Sequence, residues 1–272
     1  MSVFDFCSGR FFRAKPDKIA FEIDFNRVEA PALAPDALEI ALGQFESRAI
    51  REIRKICDTG KLPPMEDFSY VYNLITLFAV RSPAIRTAMV SMQDRIWRQL
   101  MRLVTFSEAI YKDRMKHARA EGFIRDGLDV SYESMKDFVR RDAFTISVPP
   151  GWHILNEFEI FNEMVHRVGY RYWSVMTVKP GAPDLITCDR PAPTRLNDEK
   201  IFFTISPRCA LLGALDPIAP AEFELSEARV GLINTQLVMQ TIRQIYSRTS
   251  QVTFSHGDKL IVCDLRHATT NA

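Results

Sequence analysis

The five cysteines of this chain, Cys7, Cys57, Cys188, Cys209 and Cys263, include no CxxC pair, and their number is odd. That pattern argues for reduced thiols and against a disulfide framework or a zinc site. Long apolar runs are also missing. A bilayer span needs about 20 apolar residues; the best candidate, 70–80, is roughly half that length and carries Asn73 and Thr76. The opening MSVFDFCSGRFFRAKPDK has Asp5 before any basic run and no continuous apolar core, so it does not read as a signal peptide. A net charge of +1 gives no bulk electrostatic reason to expect nucleic acid or an anionic membrane. There is no GxGxxG, GxxxxGK[ST], HExxH or HxxxH, so no motif names a cofactor, a metal or a partner. A soluble cytoplasmic protein is the expectation.

What the chain does contain is helix first and strand later. Leu38, Leu42, Phe45, Ala49, Ile53 and Ile56 recur at helical spacing until Gly60 and Pro63-Pro64. Arg48, Arg51, Arg54 and Lys55 form the solvated face of that helix. Residues 68–81 are apolar nearly all round, as in a buried helix. Ser82-Pro83 reads as an N-cap with proline at the first helical position. Helices are expected over about 83–103, 106–121, 132–141 with Ser131 as cap, and 152–168. A further helix is expected from Ser226 to about Arg248. Strands are expected at 19–25, 184–188, 201–205, 210–215 and 260–264, and a turn at His256-Gly257-Asp258. The order favours α+β: a mainly helical first half (about 36–168) packed on a small, mostly antiparallel sheet with a long C-terminal helix (about 170–264), all in one integrated domain.

The stretch 173–208 organises the second half. Its two apolar runs, 184–188 and 201–205, end at Asp189-Arg190-Pro191 and Ser206-Pro207. Proline cannot continue a ladder, so Asp189 and Ser206 stand just past strand ends, where sites are often built. If the runs form a simple hairpin, Asp189 and Ser206 lie at opposite ends. The same pairing separates Pro183-Asp184 from Asp198-Glu199-Lys200 by more than ~10 Å at ~3.3 Å per residue. That objects to the loose metal-nuclease pattern those residues spell.

Other polar residues fall on apolar faces. Glu46 sits among Leu42, Ala49 and Ile50; either its helix tilts it to solvent or a structural arginine, or a carboxylate is kept inside for chemistry or a metal. Arg81, at the end of the buried helix, suits the helix dipole and is also a natural partner for Glu46. Asn234 is surrounded by Val230, Leu237, Val238 and Thr241, and is either satisfied by backbone or held for a ligand. Asp189 either caps its turn or acts. A lone Glu163-x-x-His166 has no second copy to complete a di-iron site.

Several of these pieces, in this order, resemble the Domain of Unknown Function 4238 family of bacteria and fungi. They are LEIALGQFESRAIREIRKI, ITLFAVRSPAIR, Trp173 before DLITCDRP, FFTISPR, and LINTQ, spread over about 36–250. The resemblance picks out Glu46, Arg81, Asp189, Ser206 and Asn234 and implies no activity. Members typically open with a His-Tyr-x-Pro segment, which is not present here; if that histidine belongs to the site, the chain is incomplete or degenerate, or its start lies too late.

Two functions are therefore expected to compete. In a hydrolase-like pocket, Glu46 and Asp189 converge as catalytic acid and base or as a metal pair, with Arg81 and Asn234 holding the substrate. In a binding or regulatory protein, the same residues and Ser206 form a polar network without chemistry.

Overall fold

The computed structural model describes residues 1–19, 37–81, 83–124, 127, 130–142, 144–147, 150–192, 198–217 and 222–268. The expected strand 19–25, for all but its first residue, and the Ser82 cap lie outside them. In chain order the elements are β1 (Ser2–Asp5), β2 (Arg10–Arg13), α1 (Ala37–Thr59), α2 (Met65–Val80), α3 (Pro83–Val104), α4 (Glu108–Ala120), α5 (Tyr132–Arg141) and α6 (Pro150–Gly169). There follow β3 (Tyr172–Val178), β4 (Thr187–Cys188), β5 (Lys200–Ser206), β6 (Cys209–Ala214), β7 (Glu222–Leu225), α7 (Glu227–Gln240), β8 (Gln244–Ser247), β9 (Gln251–His256) and β10 (Lys259–Asp264). The fold is α+β, with helices concentrated in the first half. Contacts divide it into two compact units, Met1–Ser82 with Ile154–Ala272, and Pro83–His153.

The smaller unit is helical. Ser107 and Ser131 cap α4 and α5 by accepting hydrogen bonds from Ile110 and Ser134 N–H. Tyr111 and Tyr132 pack together, and each hydroxyl donates to a backbone carbonyl of this unit, Val130 and Thr105 respectively. Arg98 bridges Asp94 and Asp142 with its guanidinium over the Phe144 ring.

The larger unit is built on a four-stranded sheet, β5-β6-β3-β7, antiparallel except where β3 meets β7. Its central strands β3 and β6 are buried on both faces, because side chains alternate and both faces are covered, whereas edge strand β7 alternates Glu222 and Glu224 with Phe223 and Leu225. Trp173 and Val175 of β3, Ile201 and Phe203 of β5, and Leu211 of β6 face a core completed by Ile56 of α1 and by Phe68, Val71 and Ile75 of α2. Their neighbours Met176, Leu212 and Leu225 face the other way, onto Val230, Ile233 and Leu237 of α7. That second core runs on into the other four-stranded sheet, β2-β1-β8-β4, through Phe4, Cys188 and Ile245.

Trp173 fixes the geometry of the first core. Its indole N–H donates to Val168 O at 3.1 Å, and Phe68 meets its ring edge-on at 5.5 Å. On β6, a Cβ at Gly213 would stand 3.0–3.1 Å from three atoms of the indole. With the ring held on both sides, Gly213→Ala is expected to cost about 1–3 kcal/mol through overpacking, read as a lower urea midpoint at unchanged slope.

The structure corrects three expectations. The runs 184–188 and 201–205 do not form a hairpin: β5 pairs with β6 across the Ser206–Cys209 turn, while β4 is two residues long and pairs with β8 in the other sheet. The α7 helix begins at its Ser226 cap as expected but stops at Gln240, not Arg248. Beyond it, the N–H groups of Ile242 and Arg243 bond to the Asp189 carboxylate, and 244–247 extends as a strand between β1 and β4. Finally, 2–5 and 10–13 form strands in a region where none was expected.

Candidate functional site

Helix α1 lays one stripe of side chains against β5 and α2. At 100° and 1.5 Å per residue, Glu46, Ile50, Ile53 and Cys57 share a face. Together with Leu74 and Phe78 of α2 and residues 203–206 of β5, they line an open cavity of about 800 Å³. Its middle is apolar, and Phe78 stacks on Phe203 with ring centroids 6.2 Å apart. Polar groups sit on its walls: Glu46 toward one end, and Arg54, Cys57, Asp58 and Ser206 toward the other. The Thr204 hydroxyl, also on the wall, is buried without a protein hydrogen-bond partner.

Glu46 is half-buried, tilted toward solvent with an arginine nearby, one of the two arrangements its sequence surroundings allowed. Burial pushes its carboxyl up, against the pull of the nearby Arg81 guanidinium. Arg81 is itself engaged deeper in the protein, 3.6 Å from the carboxylate of Glu157 on α6, which is almost fully buried. The three residues form an electrostatic string of acid, base and acid, with Glu46 at its accessible end. Glu157 shares a helical stripe with Ile154, Phe161, Met164 and Val168 of α6, so its place on an apolar face was legible in the spacing although it was not among the expected site residues. The carboxylate that α1 itself buries is Glu52, 6 % exposed and 2.7 Å from Lys55 Nζ.

Asp189 and Asn234 are not on this cavity. The Asp189 carboxylate accepts from Ile242 N–H at 3.2 Å and Arg243 N–H at 2.8 Å, and its own N–H donates to Gln244 O. It ties the end of β4 to the turn after α7. Asn234 is 0 % exposed. Its side-chain oxygen accepts from Ile186 N–H, and its amide donates to Asp184 O and Thr253 O, all at 3.0 Å. Among the expected site residues, then, Glu46 and Ser206 share a cavity with Arg81 behind it, and two others hold backbone. Ser206 also accepts from Arg208 N–H, closing the turn after β5.

The acids of the nuclease pattern stay apart for a reason other than the one foreseen. Leu185 N–H bonds Pro207 O, so Asp184 lies at the turn end of β5, where Arg208 and Arg248 hold its carboxylate. Lys200 is at the far end of the same strand, roughly 20 Å away at 3.3 Å per residue. Among the described residues no group of three or more His, Cys, Asp or Glu could hold a metal ion. Nor is any helix there long and apolar enough to cross a membrane.

A thiol pair that the sequence did not suggest closes one end of the cavity. Cys57 of α1 lines the cavity beside Ser206 and packs on the core that holds Cys209 of β6, the strand partner of Ser206. The neighbouring Cys209 thiol and Ser206 hydroxyl draw Cys57 below the ordinary thiol range, against its burial and Asp58. The nearby Cys57 thiol, with burial, pushes Cys209 up. The two cysteines lie 152 positions apart, so only the packing of α1 on the sheet brings them together.

These features define an α+β protein with a long, open, acid-ended groove between a helical layer and a sheet. The chain belongs to the family described as protein of unknown function (DUF4238), whose model matches residues 1–251. No curated protein and no solved structure matches it.

Proposed function

We propose that the groove along α1 binds an elongated, largely apolar molecule with a hydrogen-bond-donating cationic head, seated against Glu46. The observation that carries this reading is the spacing of the groove's polar ends. Glu46 and Cys57 share a helix face but lie 11 residues, or about 16 Å, apart along the axis. An apolar floor of Ile50, Ile53 and Phe203 runs between them. Two acids against one arginine on the walls, and the paired rings of Phe78 and Phe203, favour a cation over an anion.

Binding is favoured over hydrolysis on the same geometry. A general acid and a nucleophile must both reach one reacting atom, within about 3 Å of each. Glu46 is too far from Cys57 and Asp58 on the helix for that, and Asp189 and Asn234 are committed to backbone groups.

The test compares dodecylamine, dodecanol and dodecanoate, with hexylamine as the short control, by displacement of an environment-sensitive naphthalene dye. The amine is expected to bind more tightly than the dodecanoate, and hexylamine weakly. Glu46→Gln should weaken dodecylamine about tenfold, or about 1.4 kcal/mol, while leaving dodecanol unchanged. Ile50→Trp, which fills the groove from a half-exposed position, should abolish binding of all three. Equal affinity for the three head groups, or indifference to Ile50→Trp, would overturn the proposal.

A further inference from the structure

The Cys57–Cys209 pair stands on geometry that does not depend on what the groove binds. Cys209 is buried at the start of β6 between its strand partners Thr177 and Ser206, and Cys57 lines a cavity with each of those partners and packs on the same core. Cys57 is half-buried and lines two open cavities, the groove and a second one of about 450 Å³ reached past Gly60 and Thr177. A small oxidant can therefore reach Cys57 from two sides, while Cys209 lies buried in the core on which Cys57 packs. The three other thiols lie in different surroundings: Cys7 is exposed, Cys188 is buried in the opposite core, and Cys263 is on β10.

We infer that Cys57 and Cys209 form a peroxide-reactive pair, Cys57 as the attacking thiol and Cys209 as the resolving one. The Cys57 thiolate attacks one oxygen of a hydroperoxide and the O–O bond breaks. The sulfur is oxidised to a sulfenic acid, and the departing hydroxide takes up the thiol's proton as water (for an alkyl hydroperoxide, the alkoxide leaves as the alcohol). The Cys209 sulfur then attacks the Cys57 sulfur, the S–O bond breaks, and hydroxide leaves with the Cys209 proton as water. Two thiols and one peroxide thus give one disulfide. The neighbouring Cys209 thiol and Ser206 hydroxyl favour the Cys57 thiolate that the first step requires. The product staples α1 to the β5–β6 hairpin and narrows the Cys57 end of the groove.

The experiment treats the reduced, full-length protein with one equivalent of hydrogen peroxide and follows it by intact mass and non-reducing peptide mapping. A Cys57–Cys209 linked peptide is expected, reversed by dithiothreitol, with Cys57 reacting on the order of tenfold faster than Cys7 in the same chain. Cys209→Ser should stop the reaction at a sulfenic acid that dimedone traps on Cys57. Cys57→Ser should lose both products while circular dichroism reports the same fold. If Cys7 reacts as fast as Cys57, or if Cys57 goes on to sulfinic acid in the native chain without linking to Cys209, the inference fails. These readouts do not involve the amine probes, so failure here and failure of the groove proposal are told apart.

Discussion

Asn234→Leu is expected to lower the unfolding free energy by about 3–5 kcal/mol, measured as a lower urea midpoint at unchanged slope. The replacement is apolar and close in size, so the loss is not one of volume. It comes from three backbone groups, Ile186 N–H, Asp184 C=O and Thr253 C=O, that lose their partners inside the protein at once. Each unsatisfied buried group costs about 1–3 kcal/mol. The amide thereby holds the β4 segment and β9 onto α7 where no strand ladder joins them. Asn234→Asp should be as damaging at neutral pH, because carboxylate oxygen then faces the two carbonyls that the amide had bonded. A loss below about 1 kcal/mol for Asn234→Leu would mean that water or a backbone shift replaces the amide, contrary to the role assigned here.

Asp5→Asn is expected to cost about 2–3 kcal/mol and to flatten the dependence of stability on acid. Asp5 is buried in the first strand, where its carboxylate accepts from Gln244 Nε2 at 2.7 Å, Arg243 Nε at 2.9 Å, and the N–H and hydroxyl of Ser8. Burial opposes ionisation. The hydrogen bonds from Gln244, Ser8 and Arg243 together outweigh it and hold the carboxyl far below its usual range. The folded pKa is therefore lower than the unfolded value of about 3.9. The stabilisation is present above that pH and drains away as the pH falls below it toward the folded value. Unfolding free energies from pH 7 to pH 2 should fall more steeply for the native protein than for Asp5→Asn, the two curves converging in acid. Parallel curves would remove Asp5 from the account.

Both residues show where reading one sequence ends. Asn234 was visible as a polar residue on an apolar helix face, since that judgement needs only the 100° turn of a helix. Its job was not visible, because its three partners come from segments 19 to 50 positions away. Asp189 was similar: a carboxylate just before a turn suggests a cap, but the N–H groups it caps belong to residues 242 and 243. That same contact explains the over-long α7. Residues 241–248 carry no strong helix breaker, so local propensity runs on, while a distant carboxylate and two neighbouring strands take the backbone hydrogen bonds instead. Asp5 gave no signal at all, because a four-residue strand beside a turn has too little pattern to announce burial.

The sequence by itself determined the helices, the caps at Ser131 and Ser226, the apolar runs that became β5, β6 and β10, and the α+β class. It also picked out Asn234 among the buried polar residues, but not Asp5, Glu52, Glu157 or Arg171. What it determined follows from interactions within a few positions, where periodicity and capping chemistry act. Tertiary structure alone decided strand partners, and it placed 184–188 and 201–205 in different sheets. It spent Asp189 and Asn234 on backbone, left Glu46 and Ser206 on a shared groove, and set Cys57 against Cys209. Strand pairing and side-chain encounter are non-local contacts, fixed by how two cores fill at once, and no spacing along the chain records them.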